Sequence, residues 1–205
     1  GERLDDLLRE HLFEPLQMQD TGFCIALDQQ DRLMPMFGVS NLRDLSPMNP
    51  PMEQTLTAID VDGMYPAADS NFRRGGHGLF STTSDYLKFA TMLLDGKTVS
   101  GEVLLSRTML KMMQANRIPE HQLPLKIGLG PLPGYGWGLT GRVMLDTGQA
   151  MSLTNNGEFG WSGAAATYFW VDPAESMVGV IMTQYLGSIL PLSEALRTAA
   201  YQMLD

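Results

Sequence analysis

Hydrophobic residues at helical spacing begin the chain. They share one face of a helix whose opposite face carries charged side chains, and they are Leu4, Leu7, Leu8 and Leu12. The helix is expected to end near Pro15, because the residue before a proline avoids the helical region. A lone helix of this length is marginal in water, so its apolar stripe needs partners in the fold.

The pattern becomes irregular between Gln17 and about Arg74, where proline, methionine, asparagine and glycine interrupt short apolar runs. A long segment of this kind usually wraps a surface or builds a binding rim. A disordered linker is the alternative interpretation, and apolar residues such as Phe37 and Tyr65 weigh against it.

Two helices with capping signals follow. Thr82 with Asp85 three residues later is a capping-box pattern, and Gly96 is a natural stop for this helix. Ser106 is expected to cap a second helix that runs to about Ala115. The side chains that this second helix is expected to bury are Met109, Leu110 and Met113.

The last third of the chain has the pattern of strands. Residues 135–139 alternate large side chains with glycine, and residues 165–171 and 177–183 are apolar runs of strand length. Residues 172–175 have turn chemistry, so the latter two runs predict an antiparallel hairpin. Pro191 opens a final helix, whose expected apolar side comprises Leu192, Leu196, Ala199, Ala200 and Met203. Helices followed by antiparallel strands make an α+β fold.

Charge and cysteine content narrow the range of functions. The 205 residues carry a formal net charge of −9, which disfavours a nucleic-acid surface because phosphate binding needs a basic stripe. The single cysteine, Cys24, excludes an internal disulfide, and its apolar neighbours predict a buried thiol. No apolar run of about 18 residues is present, so we expect no membrane span. The compartment stays open between a bacterial cytoplasm and a periplasm.

A serine nucleophile needs a base within hydrogen-bond reach, and the sequence does not supply the usual pair. None of the lysines lies three residues after a serine. The run Gly160-Trp161-Ser162-Gly163-Ala164 is close to the Gly-x-Ser-x-Gly elbow but ends in alanine, and a strand follows where the elbow needs a helix. These residues therefore argue against Ser162 as a nucleophile.

The histidines do not form a metal-ligand spacing, so we expect neither a metal nor an organic cofactor. His77 has the most informative neighbourhood, because the glycines beside it let backbone approach a ligand closely. It is either a structural histidine or a residue that contacts substrate.

Several segments occur in a characteristic order: residues 4–23, 78–89, 104–106, 135–139, 159–163, 169–173 and 182–184. Together they resemble the superfamily of serine β-lactamases, penicillin-binding proteins and family VIII carboxylesterases, and the esterase-like branch in particular. The resemblance implies the C-terminal part of a β-lactamase-like fold, with helices and irregular loops before an antiparallel sheet of about three strands and a covering C-terminal helix. Residues 1–130 would belong to the helical and loop region lining the active site, and residues 131–205 to the strands and helix of the α/β domain.

The resemblance also implies roles for individual residues. Trp161-Ser162-Gly163 matches the motif on a strand that edges the active site, so the backbone N–H of Ala164 would be an oxyanion-hole donor. Ser162 would hydrogen-bond the substrate. Trp161 carries no charge to attract a carboxylate, which favours neutral esters over penicillins. The remaining residues assigned to substrate binding are Gly163, Tyr135 and His77.

The sequence departs from the family in lacking its Ser-x-x-Lys and Tyr-x-Asn or Tyr-x-Ser motifs. Both motifs precede, in the family, the segment that resembles residues 1–23. We therefore interpret the chain as a truncation, a proteolytic product or one piece of a split protein. The sheet would then have an unpaired edge, which a separate N-terminal segment or a second copy would cover.

The function implied is that of a serine hydrolase, in its intact form, that makes an acyl-enzyme on small esters or on β-lactams. This chain alone would be inactive. Two alternatives stay open: a D-amino-acid peptidase related to penicillin-binding proteins, and a non-catalytic binding module of the same fold.

Overall fold

A computed structural model describes residues 1–39, 58–59, 73, 75–76, 78–127, 130–187 and 190–204. The opening helix α1 spans Leu4–Leu8 and continues as a π-helical turn over Arg9–Phe13, so its end near Pro15 is confirmed. A 3₁₀ turn covers Leu27–Arg32. Cys24 is exposed, so the prediction of a buried thiol was wrong.

Helices α2 and α3 have the predicted caps. Helix α2 spans Thr83–Asp95, the Thr82 side chain accepts the N–H of Asp85, and Gly96 ends the helix at a φ of 78°. Helix α3 spans Arg107–Gln114 and is capped by Ser106, which accepts the N–H of Met109. Leu110 is buried, whereas Met109 is exposed, contrary to the prediction.

The main sheet has five antiparallel strands in the order β5-β6-β7-β8-β9. Their bounds are Tyr135–Trp137, Arg142–Met144, Phe159–Ser162, Tyr168–Asp172 and Met177–Ile181. The predicted hairpin is β8–β9, whose pairing runs from Tyr168 opposite Ile181 to Asp172 opposite Met177. The α+β fold class is confirmed, and the sheet has two more strands than the three expected, because β6 and β7 are short and β7 carries glycine and serine.

Two smaller sheets complete the strands of the described residues. Strand β1, Met36–Gly38, pairs in parallel with β10, Tyr185–Leu186, and antiparallel with β2, Ala58–Ile59. Strands β3, Leu125–Ile127, and β4, Gly130–Leu132, form a hairpin. Strand β1, which belongs to the irregular segment after Gln17, therefore lies beside residues near the C-terminal end of the chain.

One face of the main sheet, which we call the apolar face, packs against helix α2 and the opening helix. The buried residues of this core are Phe13, Leu16, Met18, Ala90, Met92, Leu93, Val143, Phe159, Phe169 and Val171. Asp85 ties the two helical parts together: its carboxylate accepts the N–H of Asp20 at 2.7 Å and the hydroxyl of Thr21 at 3.0 Å. Gly22 and Phe80 form a β-bridge next to it.

The C-terminal helix α4, Leu192–Tyr201, begins after Pro191 as predicted and covers the opposite face of the sheet. The residue that it buries is Arg197, which is 3% exposed, whereas Leu196 and Met203 are exposed. The expected apolar stripe was therefore wrong, because the helix docks through ionic and hydrogen-bonding side chains. None of the helices among the described residues is long and apolar enough to cross a bilayer.

Candidate functional site

The predicted site residues lie where strand β7 extends past its neighbour β6. Strand β6 pairs with Phe159 and Gly160 only, whereas β8 follows β7 to the end, with Ser162 opposite Tyr168. Beyond Gly160, the described residues place no strand on the β6 side of β7. The end of β7 therefore has one paired edge and one open edge.

Ser162, Gly163 and Ala164 are exposed at this open end. The N–H of Gly163 donates to the carbonyl of Thr167 at 2.8 Å, and the N–H of Ala166 donates to the carbonyl of Gly163 at 3.1 Å. These bonds close a tight turn in which Ala166 adopts a φ of 58°. Within the described part of the chain, the N–H of Ala164 has no acceptor, so it is free to donate to a ligand.

The carbonyls of the same turn are held from the opposite side by the segment that follows β9. The hydroxyl of Thr183 donates to the carbonyl of Ala165 at 2.5 Å, and the N–H of Tyr185 donates to it at 3.2 Å. The N–H of Gly187 donates to the carbonyl of Ala164 at 3.3 Å. The carbonyls of Ala164 and Ala165, which lie next to the free N–H of Ala164, are thus both held by hydrogen bonds.

Trp161 forms an apolar wall beside the turn. Its indole meets the ring of Trp137 edge-to-face, with ring centroids 4.5 Å apart and an interplanar angle of 76°. Both indoles are half-buried. Trp137 was not assigned to the site from the sequence, because the contact joins β5 and β7 across the intervening β6, a strand order that the sequence pattern did not reveal.

Tyr135 lies in a mostly buried, polar environment. It is 7% exposed, and its hydroxyl accepts a hydrogen bond from the guanidinium of Arg197 at 3.0 Å. The guanidinium of Arg142 lies over its ring, 4.4 Å from the centroid. The structure does not bring Tyr135 together with Trp161 and Ser162, and its contact with substrate stays a prediction. His77 lies outside the described residues.

A buried polar cluster joins helix α4 to the sheet beneath the site. We define it as Tyr135, Arg142, Glu158, Tyr168, Asp172, Arg197 and Tyr201. Arg197 donates to Glu158 at 2.6 Å and to the hydroxyl of Tyr168 at 3.2 Å, and Arg142 donates to the same hydroxyl at 2.7 Å. Tyr168 lies opposite Ser162, so the cluster supports the strand pair that carries the site.

Proton positions in this cluster follow from its contacts. The hydroxyl of Tyr201 lies 2.5 Å from an oxygen of Asp172 and 3.0 Å from an oxygen of Glu158. The single proton of this hydroxyl can be donated to only one of the two carboxylate oxygens. Burial, followed by the hydrogen bond to Asp172, raises the pKa of Tyr201 above its usual value, so Tyr201 keeps its proton. Burial also raises the pKa of Glu158, although Arg197 opposes the shift.

A cavity of about 460 Å³ lies elsewhere, beside the opening helix. Its lining combines Asp5, Asp6, Arg9 and Glu14 with apolar side chains such as Phe13. It contains none of the predicted site residues, and the Asp5 carboxylate is already paired with Arg3 and Arg73. We place the candidate site at the end of β7, because an exposed free donor is there. Among the described residues, no group of three or more His, Cys, Asp or Glu is placed to hold a metal ion.

An antiparallel sheet with helices on both faces and an exposed N–H at a strand end is the arrangement of the β-lactamase-like fold. The chain belongs to the Beta-lactamase family, whose sequence model matches residues 1–202. The superfamily predicted from the sequence is thereby confirmed.

Individual relatives agree with this assignment. Protein Rv1367c of Mycobacterium tuberculosis is 30% identical over 186 residues, which are 89% of this chain and 43% of that protein. The structure of EstCE1, described as a hydrolase with promiscuous acyltransferase activity, matches 98% of this chain and 51% of its own length, with a TM-score of 0.76 and 23% identity. Simvastatin synthase LovD from Aspergillus terreus matches 100% of this chain and 52% of its own, with a TM-score of 0.73 and 18% identity. The chain thus spans about half the length of the proteins it matches.

Proposed function

We propose that this chain forms one wall of the active site of a serine hydrolase that makes an acyl-enzyme on neutral esters. The observation that carries the proposal is the free, exposed N–H of Ala164 at the open end of β7. A fixed donor of this kind stabilises the oxyanion of an acyl-transfer transition state, at a cost of about 100- to 1,000-fold in kcat when it is lost.

The substrate class follows from the side chains around that donor. Ser162 is exposed next to it and is the group that would hydrogen-bond the substrate. Trp161 and Trp137 present an apolar surface without a cation. This surface favours the acyl or alcohol part of an ester over the carboxylate of a penicillin, and Gly163 lets the substrate approach the backbone. A D-alanyl peptide carries a carboxylate as well, so it is the weaker candidate.

The nucleophile would come from a polypeptide segment that this sequence does not contain. The sequence has no Ser-x-x-Lys motif, and matched proteins of the fold are about twice as long. In this proposal residues 1–130 supply the rim of the site and residues 131–205 its wall.

Intact-mass analysis after treatment with a fluorophosphonate probe tests the assignment. We expect the probe to add its mass to a species that carries the missing segment, in complex with this chain or continuous with it. A label on Ser162 itself would reassign the nucleophile. An unlabelled preparation would leave a binding module of the same fold as the conclusion.

Strand β9 is the surface at which we propose that the missing segment docks. In the described residues β9 pairs only with β8, and Met177–Ile181 contains neither charge nor proline, so its outer edge is open to another strand. A second copy of the chain is the competing occupant. Light scattering of this chain at increasing concentration separates them: growth into dimers supports pairing between copies, and a monomer that binds the N-terminal segment supports the first occupant.

A further inference from the structure

The segment Thr183–Gly187 lies between the turn that carries Ala164 and strand β1, and we call it the brace. On one side it holds the turn through the hydroxyl of Thr183 and the N–H groups of Tyr185 and Gly187. On the other side its carbonyls accept the N–H of Phe37 at 2.8 Å and the N–H of Val39 at 3.1 Å. The brace therefore connects the turn to strand β1.

Thr183 supplies a side-chain hydrogen bond from the brace to the turn. Its hydroxyl shares the Ala165 carbonyl with the N–H of Tyr185, so that oxygen has two donors. The next residue, Ala166, has a left-handed φ of 58°, which residues other than glycine adopt only when their surroundings enforce it. The turn thus depends on outside bonds to keep its shape.

We propose that Thr183 is a positioning residue for the oxyanion donor: by fixing the Ala165 carbonyl, its hydroxyl aims the N–H of Ala164 at the reacting carbonyl. This role rests on the proposed function, because an oxyanion donor works only when it is held in place before the reaction begins. Thr183 lies in residues 182–184, one of the segments that resemble the family, but no role was assigned to it from the sequence, since the contact forms only when β9 has paired with β8.

The test compares Thr183→Val with Thr183→Ser in the complete hydrolase, assayed on p-nitrophenyl acetate. The valine variant keeps the shape of the side chain and loses its donor, and we expect kcat to fall on the order of 10- to 100-fold with KM nearly unchanged. The serine variant keeps the donor and is expected to restore kcat. Thr91→Val is the matched control, because it removes a 2.8 Å hydroxyl-to-carbonyl bond on the exposed side of α2.

A valine variant with wild-type kcat, or a serine variant as impaired as the valine variant, would overturn the proposal. If Thr183→Val fails to fold, Thr183→Ala removes the same donor without placing a methyl group against the carbonyl. Wild-type protein that neither turns over the ester nor reacts with the fluorophosphonate contradicts the proposed function instead.

Hydrogen exchange keeps the two failures distinct, because it requires no activity. The N–H of Ala166 is bonded to the carbonyl of Gly163 and reports on closure of the turn. We expect its exchange to accelerate in Thr183→Val and to remain at the wild-type rate in Thr183→Ser and Thr91→Val. Equal rates in all four proteins would show that the hydroxyl does not hold the turn.

Discussion

The two faces of the main sheet are held by different physical forces. On the apolar face, side chains such as Phe159 and Val171 are almost fully buried against helix α2 and the opening helix. On the opposite face, Arg197 of helix α4 is buried against Glu158 and the hydroxyls of Tyr135 and Tyr168. Non-directional burial stabilises the first face, and directed hydrogen bonds between desolvated groups stabilise the second.

The difference has consequences for how each face responds to change. An apolar core loses free energy in proportion to the contacts removed, so its response to a substitution is graded. A buried ionic cluster tolerates the loss of a partner poorly, because the remaining charge or hydroxyl keeps its desolvation cost. The candidate site lies at the end of a strand that both faces support.

The largest effect is expected from Arg197→Met. It leaves Glu158 buried without its cation and removes one donor each from the hydroxyls of Tyr135 and Tyr168, and we expect the free energy of unfolding to fall by about 4 kcal/mol in urea denaturation. In a double-mutant cycle with Glu158→Gln, the coupling is expected to be about 1–3 kcal/mol. Arg107→Met, on the exposed side of α3, is the control and should change stability by less than about 0.5 kcal/mol. If the losses of stability from the two single substitutions simply add in the double variant, the cluster does not act as a unit.

Leu16→Ala measures the apolar face by itself. Leu16 is 0% exposed, and truncation leaves a cavity that the close-packed surroundings fill only in part, for an expected loss of about 3 kcal/mol. Leu27→Ala is the matched substitution at a leucine that is 83% exposed, and its unfolding midpoint should be close to that of the wild type. Similar losses for the two variants would contradict the placement of the core.

A smaller effect is expected at the start of α2, the helix that covers the apolar face. Thr82→Ala removes the acceptor of the Asp85 N–H, bonded at 3.2 Å, and should cost about 1 kcal/mol of thermal stability. Thr82→Ser retains the cap and should melt near the wild-type temperature. Identical melting of the alanine variant would indicate that packing alone sets the end of the helix.

The smallest expected effect is a pH dependence of stability that comes from Glu158, on the face of the sheet that α4 covers. Because burial raises the pKa of Glu158 in the folded state, folding favours its protonated form. The stabilising contribution is complete at pH values below the unfolded pKa and is lost as the pH rises through the folded pKa. Unfolding measured between pH 4 and 8 should show a loss for wild type that Glu158→Gln lacks. Parallel stability curves for the two proteins would contradict the assignment.

Local signals in the sequence predicted the local structure. The caps at Thr82 and Ser106 and the hairpin between β8 and β9 follow from residues within a few positions of each other. The apolar stripe of helix α4 failed for the opposite reason. Periodicity counts apolar residues, and it does not reveal that Arg197 meets Glu158, 39 residues earlier, in a buried pair.

The candidate site was predicted in part. The run from Trp161 to Ala164 was identified through its resemblance to a family motif, and the structure brings those residues together at an open strand end. Trp137 was missed, because its contact with Trp161 joins two strands on either side of β6, an order that short-range patterns do not specify. Thr183 lies at the end of the predicted hairpin, but no pattern indicated that its hydroxyl bonds the carbonyl of Ala165. Tyr135 was assigned to substrate binding through the family resemblance, and no local signal linked its hydroxyl to Arg197, 62 residues later in helix α4.

The bridge between Gly22 and Phe80 and the bonds that the Asp85 carboxylate accepts from residues 20 and 21 join two points far apart in the sequence and so close a long loop in the chain. The entropy of closing such a loop rises slowly with its length, by only about 0.6 kcal/mol for each doubling. A change in chain length between these anchors therefore costs little closure entropy, provided that the bonds from Phe37 and Val39 to the brace are kept. Relatives could differ in the length of this part of the chain while the anchored ends, the brace and the sheet stay the same.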